Sequence, residues 1–200
     1  PMNTNWGFNL TQQIVRKSEM TAGNAMVGDL TKIRFFYAGS IAPNANWCTW
    51  TVSIANSTRT SFASDSDWEP AASFTTVFSG VVSMVSNGWV EIPFTSPFNY
   101  TGEGLIVQVN ENVIGYPGSS NFRSYTSLAN TGMSARSDSS NPTTSSAGTR
   151  TGEIAQIQFE GIVNNCAIPT DLTSSSITTS SFNFAWTAAP GPLTQGYIVE

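Results

Sequence analysis

Three acidic residues stand at alternate positions in one short polar stretch, "SDSDWE". Asp65, Asp67 and Glu69 offer carboxylate oxygens, the ligands that Ca²⁺ prefers in proteins. The stretch lacks the glycine and the closing glutamate of an EF-hand loop, so a second interpretation stays open. In that interpretation the aspartates accept hydrogen bonds from nearby amides in a turn, and Trp68 packs inward. If calcium binds here, a chelator that removes it should lower the melting temperature of the protein.

Aromatic and polar side chains in loop-like segments are candidates for holding a glycan. Aromatic rings present flat apolar faces to the C–H groups of a sugar, and polar groups fix its hydroxyls. Trp47 stands close before a predicted strand, and "IGYPGSSNFRSYTS" groups Tyr116, Asn121, Arg123 and Tyr125. These five are the predicted ligand-binding residues. The alternative for each ring is ordinary packing in a β-sheet core.

The sequence contains no motif that indicates catalysis. Histidine, the commonest general base, is absent. The glutamates are scattered singly, without the paired carboxylates that a glycosidase needs. No phosphate-binding loop or nucleophile elbow occurs either. We therefore expect a protein that is not an enzyme and has no catalytic residues.

Charge and composition limit the classes of binding partner that we expect. The net charge is -5 and basic residues form no stripe, which disfavours nucleic acid and anionic membrane surfaces. No apolar run approaches the ~18 residues of a membrane span, so we expect no membrane insertion. Aromatic residues make up 12% of the chain and charged residues only 10%. This balance favours an extracellular β-protein with a hydroxyl-rich surface.

The chain has two cysteines, Cys48 and Cys166, and neither belongs to a CxxC pair. A zinc site is therefore not indicated. A disulfide between them would persist outside the cell. Two separate buried thiols are the alternative.

Short alternating apolar runs, separated by Gly, Pro, Asn and Ser clusters, predict strands rather than helices. The alternating positions are Ile33, Phe35 and Tyr37; Trp50, Val52 and Ile54; Val90, Ile92 and Phe94; and Leu105, Val107 and Val109. This spacing predicts an all-β fold, with a jelly-roll-like β-sandwich over residues 1–163.

Three further features complete the prediction for this module. Gly80, within "TTVFSGVVSMVS", predicts a bulge or bend. The polar stretch 136–152 predicts a long surface loop. The segment "SDWEPAAS" is expected to form at most one helical turn.

After "VNNC" the pattern changes, and residues 164–200 form a separate module. Phe182, Phe184 and Trp186 alternate, a Pro-Gly-Pro loop follows, and a further strand begins near Tyr197. With Pro169 preceding Leu172 as an entry signal, this resembles the first strands of a fibronectin type III (Ig-like) sandwich. Such a domain needs about seven strands, so we expect the native polypeptide to continue.

Residues 5–163 resemble a second family. The positions that carry the likeness are Trp50, Ser61-Phe62, Trp68, Gly88-Trp89-Val90, Pro97-Phe98, Tyr100 and Gly102. They resemble a β-sandwich module of secreted multi-domain proteins of Bacteroidota, where it often precedes fibronectin type III repeats and a type IX secretion sorting domain. The resemblance implies a secreted location at the cell surface.

These features predict a non-catalytic adhesion or binding module of a large secreted bacterial protein. The expected partners are a glycan or other cell-surface ligand and the adjacent domains of the same polypeptide. No cofactor is expected, apart from the calcium ion considered above. Two alternatives remain: an accessory carbohydrate-binding module of a secreted polysaccharide- or protein-degrading enzyme, and a structural spacer.

Overall fold

The computed structural model describes residues 6–40, 48–115, 122–163 and 170–187. These residues form an all-β protein with antiparallel sheets and one short helix. The elements in chain order are β1 (Phe8–Val15), α1 (Lys17–Ala22), β2 (Gly28–Tyr37), β3 (Thr49–Ser57), a 3-10 turn (Ala71–Ser73), β4 (Thr75–Val81), β5 (Gly88–Tyr100), β6 (Gly104–Glu111), β7 (Ser124–Thr126), β8 (Gly132–Ser137), β9 (Thr149–Thr151), β10 (Glu153–Ala155), β11 (Ile157–Val163), β12 (Thr170–Ser175) and β13 (Asn183–Thr187). The chain divides into two compact units, Pro1–Ile162 and Val163–Glu200.

The first unit contains two main sheets of unequal width. The six-stranded sheet has the order β4-β3-β6-β1-β8-β9, and the three-stranded sheet has the order β11-β2-β5. A separate pair, β7 and β10, lies next to the end of β2, where the Arg123 amide donates to the Phe36 carbonyl at 2.8 Å. The six-stranded sheet is therefore wider than the sheet that shares its core.

The two main sheets bury their alternating residues in a shared core. Residues of β2 and β5 and residues of β3 and β6 belong to one apolar cluster. Across it, the rings of Phe35 and Trp50 meet edge to face with centroids 6.4 Å apart. The predicted alternation is confirmed at every listed position except Phe94, which is only half-buried. Period-two alternation thus identified the inward face of each strand correctly.

A second layer covers the opposite face of the six-stranded sheet. Residues 58–74, here named the strap, connect β3 to β4. Phe62 and Trp68 of the strap pack on Leu10, Ile14 and other apolar side chains that β1, β6 and β8 turn away from the main core. The sheet is therefore buried on both faces, which explains why Ile106 is buried between two buried neighbours, Leu105 and Val107.

Two local predictions need correction. The bulge in β4 is at Val77, because Val52 pairs with Phe78 and Ser53 with Thr76, whereas Gly80 pairs regularly with Trp50. The polar loop is shorter than 136–152, because its ends belong to β8 and β9. Hydroxyl-rich sequence forms strands here because the backbone ladder, rather than side-chain hydrophobicity, holds such short edge segments.

The helix α1 was not predicted, and it has only six residues. Its first turn is held by Glu19, whose carboxylate accepts a hydrogen bond from the Arg16 amide at 2.8 Å and pairs with the Arg16 guanidinium at 3.1 Å. So short a helix has too few positions for a 3.6-residue apolar period to be visible. No helix among the described residues is long and apolar enough to cross a membrane.

In the second unit, β12 and β13 form an antiparallel ladder, with Thr170 opposite Thr187 and Ser175 opposite Asn183. Leu172 and Phe182 are exposed. Of the residues that carried the fibronectin resemblance, Pro169, Tyr197 and the Pro-Gly-Pro loop lie outside the described residues, as does the side chain of Trp186.

Candidate functional site

The half of the six-stranded sheet formed by β1 and β8 carries polar residues on its inner face. Asn9, Thr11 and Gln13 alternate along β1, and β8 contributes Ser134 and Arg136. The ladder places Asn9 opposite Arg136 and Thr11 opposite Ser134, which makes a polar stripe two strands wide. Because side chains at every second position share a face, this stripe lies on the same side of the sheet as the main core.

A cleft of about 360 Å³ lies over this stripe. The strands β7 and β10 contribute to its lining beside β1, β8 and β9. Its polar lining residues include Asn9, Thr11, Gln13, Ser124, Ser134, Arg136, Thr151 and Glu153. The volume lies within the range of small-molecule sites, and the lining groups are mostly hydroxyls and amides.

Hydrogen bonds made by the side chains of Gln13 and Glu153 hold the floor of the cleft in place. The Gln13 amide donates to the Ala155 carbonyl at 3.3 Å and accepts from the Ala155 amide at 3.2 Å, which ties β1 to β10. Glu153 accepts hydrogen bonds from the hydroxyls of Ser124, at 3.1 Å, and Thr126. The Ser134 hydroxyl forms no side-chain hydrogen bond within the described part of the chain. The cleft thus combines a fixed frame with a hydroxyl left for a ligand.

Arg136 is the cation of this cleft. Its guanidinium carbon lies 5.0 Å from the centroid of the Trp6 ring, and the residue is exposed. All eight Lys and Arg residues lie in described segments, and six of them form ion pairs. Arg123 and Arg136 form none among the described residues. Arg136 therefore brings an uncompensated positive charge to a polar cleft.

A buried carboxyl group lies close to the cleft. Glu111 at the end of β6 is fully buried, and its Oε1 accepts a hydrogen bond from the Val113 amide at 3.0 Å. Burial raises the pKa of Glu111 to about 8, against the opposing hydrogen bonds from Val113 and the Asn9 side chain. Its Oε2 has no hydrogen-bond partner among the described residues. Asn9 links this carboxyl group to the cleft lining.

Of the predicted glycan-binding residues, the two that the structure describes, Arg123 and Tyr125, do not line this cleft. Trp47, Tyr116 and Asn121 lie outside the described residues. Arg123 is exposed and stacks on Phe36 with its guanidinium carbon 3.8 Å from the ring centroid. Tyr125 is at the margin of exposure, with 36% of its surface accessible.

Tyr125 is connected to the helix α1. Its hydroxyl donates to Glu19 Oε1 at 3.4 Å, beside the Ser127 hydroxyl at 2.7 Å. Burial, together with the charge of Glu19 and its hydrogen bond, raises the pKa of Tyr125 to about 12. This contact gives Tyr125 a role in holding α1 against β7.

The predicted calcium residues serve as anchors of the strap. Arg59 pairs with Asp67, and its guanidinium also contacts Glu69 at 3.1 Å. Arg150 reaches Asp65 at 2.7 Å from outside the strap. No group of three or more His, Cys, Asp or Glu side chains in the described segments is arranged to hold a metal ion. The contacts match the second interpretation of this stretch, including the Ala63 amide that donates to Asp67 at 2.7 Å and the buried Trp68.

The structure describes one of the two cysteines. Cys48 is buried next to β3, in the main core. Cys166 lies outside the described residues, so a disulfide between them stays a prediction.

The residues that line the cleft carried a signal in the sequence. In "NLTQQIV" the polar residues Asn9, Thr11 and Gln13 alternate with the apolar Leu10 and Ile14, with Gln12 between them. That pattern indicates a strand with one polar face. It does not reveal that the polar face turns toward the inside of the fold while the strap covers the apolar face.

Comparison with known proteins returned no relative. No protein-family model matches the chain, and neither curated proteins nor solved structures gave a significant match.

Proposed function

We propose that residues 1–163 form a jelly-roll-like β-sandwich that acts as a non-catalytic glycan-binding module of a secreted adhesion protein at the cell surface. In this proposal residues 164–200 begin a fibronectin type III domain. Support for the module comes from the two sheets that share one core, and from the buried Trp50 and Trp68, two of the positions that resemble the Bacteroidota family. The antiparallel pair β12–β13 supports the second assignment.

The observation that carries the function is the polar cleft. Amides, hydroxyls and an arginine line a 360 Å³ space whose frame is held by the Gln13–Ala155 hydrogen bonds. Such groups can exchange hydrogen bonds with sugar hydroxyls without any bond being broken in the sugar. Binding to one such cleft is weak, and repeated modules in one polypeptide would strengthen it through avidity.

The test is binding of the whole chain to insoluble cellulose, xylan, chitin and pectin, measured by pull-down and then by titration with soluble oligomers. The double variant Thr11→Val with Ser134→Ala removes two hydroxyls from the cleft. We expect it to weaken binding roughly thirtyfold, because two hydrogen bonds of roughly 1 kcal/mol each are lost.

A matched control removes the same chemistry elsewhere. Thr51 and Ser79 form a hydroxyl pair at 3.4 Å across β3 and β4. Thr51→Val with Ser79→Ala should leave binding unchanged. If the wild-type chain binds none of the polysaccharides, the spacer alternative replaces this proposal. If both double variants bind equally well, the cleft is not the site.

A further inference from the structure

The cleft contains a charge that neutral sugars do not require. Arg136 is one of two cationic residues with no ion pair among the described residues, in a protein whose net charge is -5. Each of the six other basic residues, in contrast, pairs with at least one carboxylate: Lys32 and Arg34, for example, lie between Glu91 and Glu160, and Arg59 binds two carboxylates of the strap. An arginine on a polar cleft that pairs with no carboxylate of the described segments is therefore an available binding group for an anion.

The position of Arg136 suits a planar anion. The Trp6 ring lies 5.0 Å from the guanidinium carbon, so the cation has an aromatic neighbour that restricts its position. A guanidinium presents its N–H donors in one plane and binds a carboxylate through two parallel hydrogen bonds. Ordering the side chain on the ring lowers the entropy that is lost when a ligand binds.

Glu153, the acidic residue that lines the cleft, lies toward the end opposite to Arg136. Glu153 belongs to β10, and its carbonyl lies beside Gly132, at the start of β8. Arg136 is four residues further along the same strand, a distance of roughly 13 Å at 3.3 Å per residue. The Glu153 carboxylate is held by the hydroxyls of Ser124 and Thr126, toward β7, so an acidic group can bind near Arg136 at the other end of the stripe.

We propose that the cleft selects saccharides that carry a carboxylate, as uronic acids do, and that Arg136 binds this carboxylate. The proposal rests on the proposed glycan-binding function and adds the ligand class. The hydroxyls of Thr11 and Ser134 lie on the same face and contact the neutral part of the saccharide.

The experiment is calorimetric titration of the whole chain with tetramers of galacturonic, glucuronic and mannuronic acid. Each tetramer is compared with its carboxyl-reduced counterpart, which keeps the ring and linkage but has no charge. We expect at least one acidic tetramer to bind about tenfold more tightly than its reduced form, because hydrogen bonds to charged groups are the stronger ones. Raising the salt concentration should weaken the binding of that acidic tetramer.

Two arginine variants identify the group that binds. Arg136→Gln should abolish the preference for the acidic tetramer while its reduced form binds within about twofold of wild type. Arg123→Gln is the matched control, because Arg123 is also exposed, also stacked on an aromatic ring and also forms no ion pair within the described part of the chain, but does not line the cleft. It should keep the preference. Unchanged melting temperatures exclude misfolding of either variant.

The outcomes separate the two proposals. If every acidic tetramer binds no better than its reduced form, the carboxylate proposal is overturned and glycan binding stands. If the preference survives Arg136→Gln, or is lost in Arg123→Gln, Arg136 is not the group that binds the acid. If neither acidic nor reduced tetramers bind and no polysaccharide is retained, both proposals fail.

Discussion

Glu111 is a carboxyl group placed where ionisation is unfavourable. The side chain is fully buried at the end of β6, and its pKa is raised to about 8 from an ordinary value of 4.5, mainly by burial. The folded protein therefore holds this proton up to about pH 8, whereas the unfolded chain releases it near pH 4.5. Folding takes up a proton between these values, so this residue makes the protein less stable as the pH rises through that window.

Replacing Glu111 by glutamine should remove the fall in stability that its ionisation causes at high pH. We expect Glu111→Gln to be more stable than wild type by roughly 4 kcal/mol at pH 8.5, and similar to it near pH 4.5, because the amide keeps the shape without the charge. Urea unfolding from pH 4.5 to 9 measures this, with the exposed Glu103→Gln as control. Parallel stability curves for wild type and Glu111→Gln would show that Glu111 does not titrate in this range.

For individual residues, the sequence showed which polar side chains stand out but not which side chains they contact in the fold. The sequence singled out Asp65, Asp67 and Glu69 as possible calcium ligands, and in the structure their carboxylates pair with two arginines. Arg59 is near in the chain, but Arg150 is far from it, and only the fold brings it to Asp65. Arg136 was not singled out at all, because its lack of a partner is a property of three-dimensional placement.

The strap is the element that gives the six-stranded sheet a second buried face. It is held by side chains at several points: Gln12 exchanges hydrogen bonds with the backbone of Glu69 at 2.8 and 3.0 Å, and the Trp68 indole donates to the Ser146 carbonyl at 2.9 Å. Arg59 also lies over the Phe62 ring at 5.0 Å. An irregular segment of this length stays in place because its apolar side chains pack on the sheet and its polar groups are hydrogen-bonded.

Trp68 is expected to be the most sensitive position of the strap. Trp68→Ala should lower the free energy of unfolding by about 3–5 kcal/mol, the usual cost of removing a buried aromatic side chain. Trp68→Phe keeps the packing and loses the hydrogen bond to Ser146, so about 1 kcal/mol is expected. Urea unfolding of both variants gives the comparison.

The half-buried Trp89, on the outer face of β5, supplies the control, because its ring meets Phe36 edge to face at 5.4 Å without being enclosed. Trp89→Ala should cost clearly less than Trp68→Ala. Equal losses for the two alanine variants would contradict the view that the strap is a packed layer.

Strands were predictable at the element scale, and the strap was not. The alternation of Trp50, Val52 and Ile54 reports burial on one face, which is why the strands that form the main core were located from sequence. β1 alternates as well, but its apolar residues face the strap and its polar residues face inward. A pattern of period two identifies two faces and cannot tell which one the rest of the chain will cover.

At the scale of the whole molecule, the first unit holds both apolar clusters and the cleft. Every residue of these clusters precedes Val163, the first residue of the second unit. The sheets of the first unit pair strands that are distant in sequence, such as β1 with β8. The described core of the first unit is therefore that of a separate folding unit.

A chain that ends at Ile162 should consequently keep the fold and the cleft. We expect its melting temperature to lie within about 3 °C of that of the 200-residue chain, with the same affinity for the oligosaccharides, since all residues of the two described apolar clusters are retained. Calorimetry and the same titrations test this. A fall of more than about 10 °C, or a lost affinity, would mean that residues after 162 contribute to the first unit.

The position of the cleft has a consequence for how this protein can evolve. Thr11, Ser134, Arg136 and Thr151 belong to neither apolar cluster, although their neighbours Leu10 and Met133 do. If the cleft is the proposed binding site, mutations at its positions can therefore change the ligand while folding stability is maintained by the other face of the same strands. We expect relatives of this module to keep Leu10 and Met133 apolar and to diversify at the four cleft positions, as one scaffold adapted to many surface polymers.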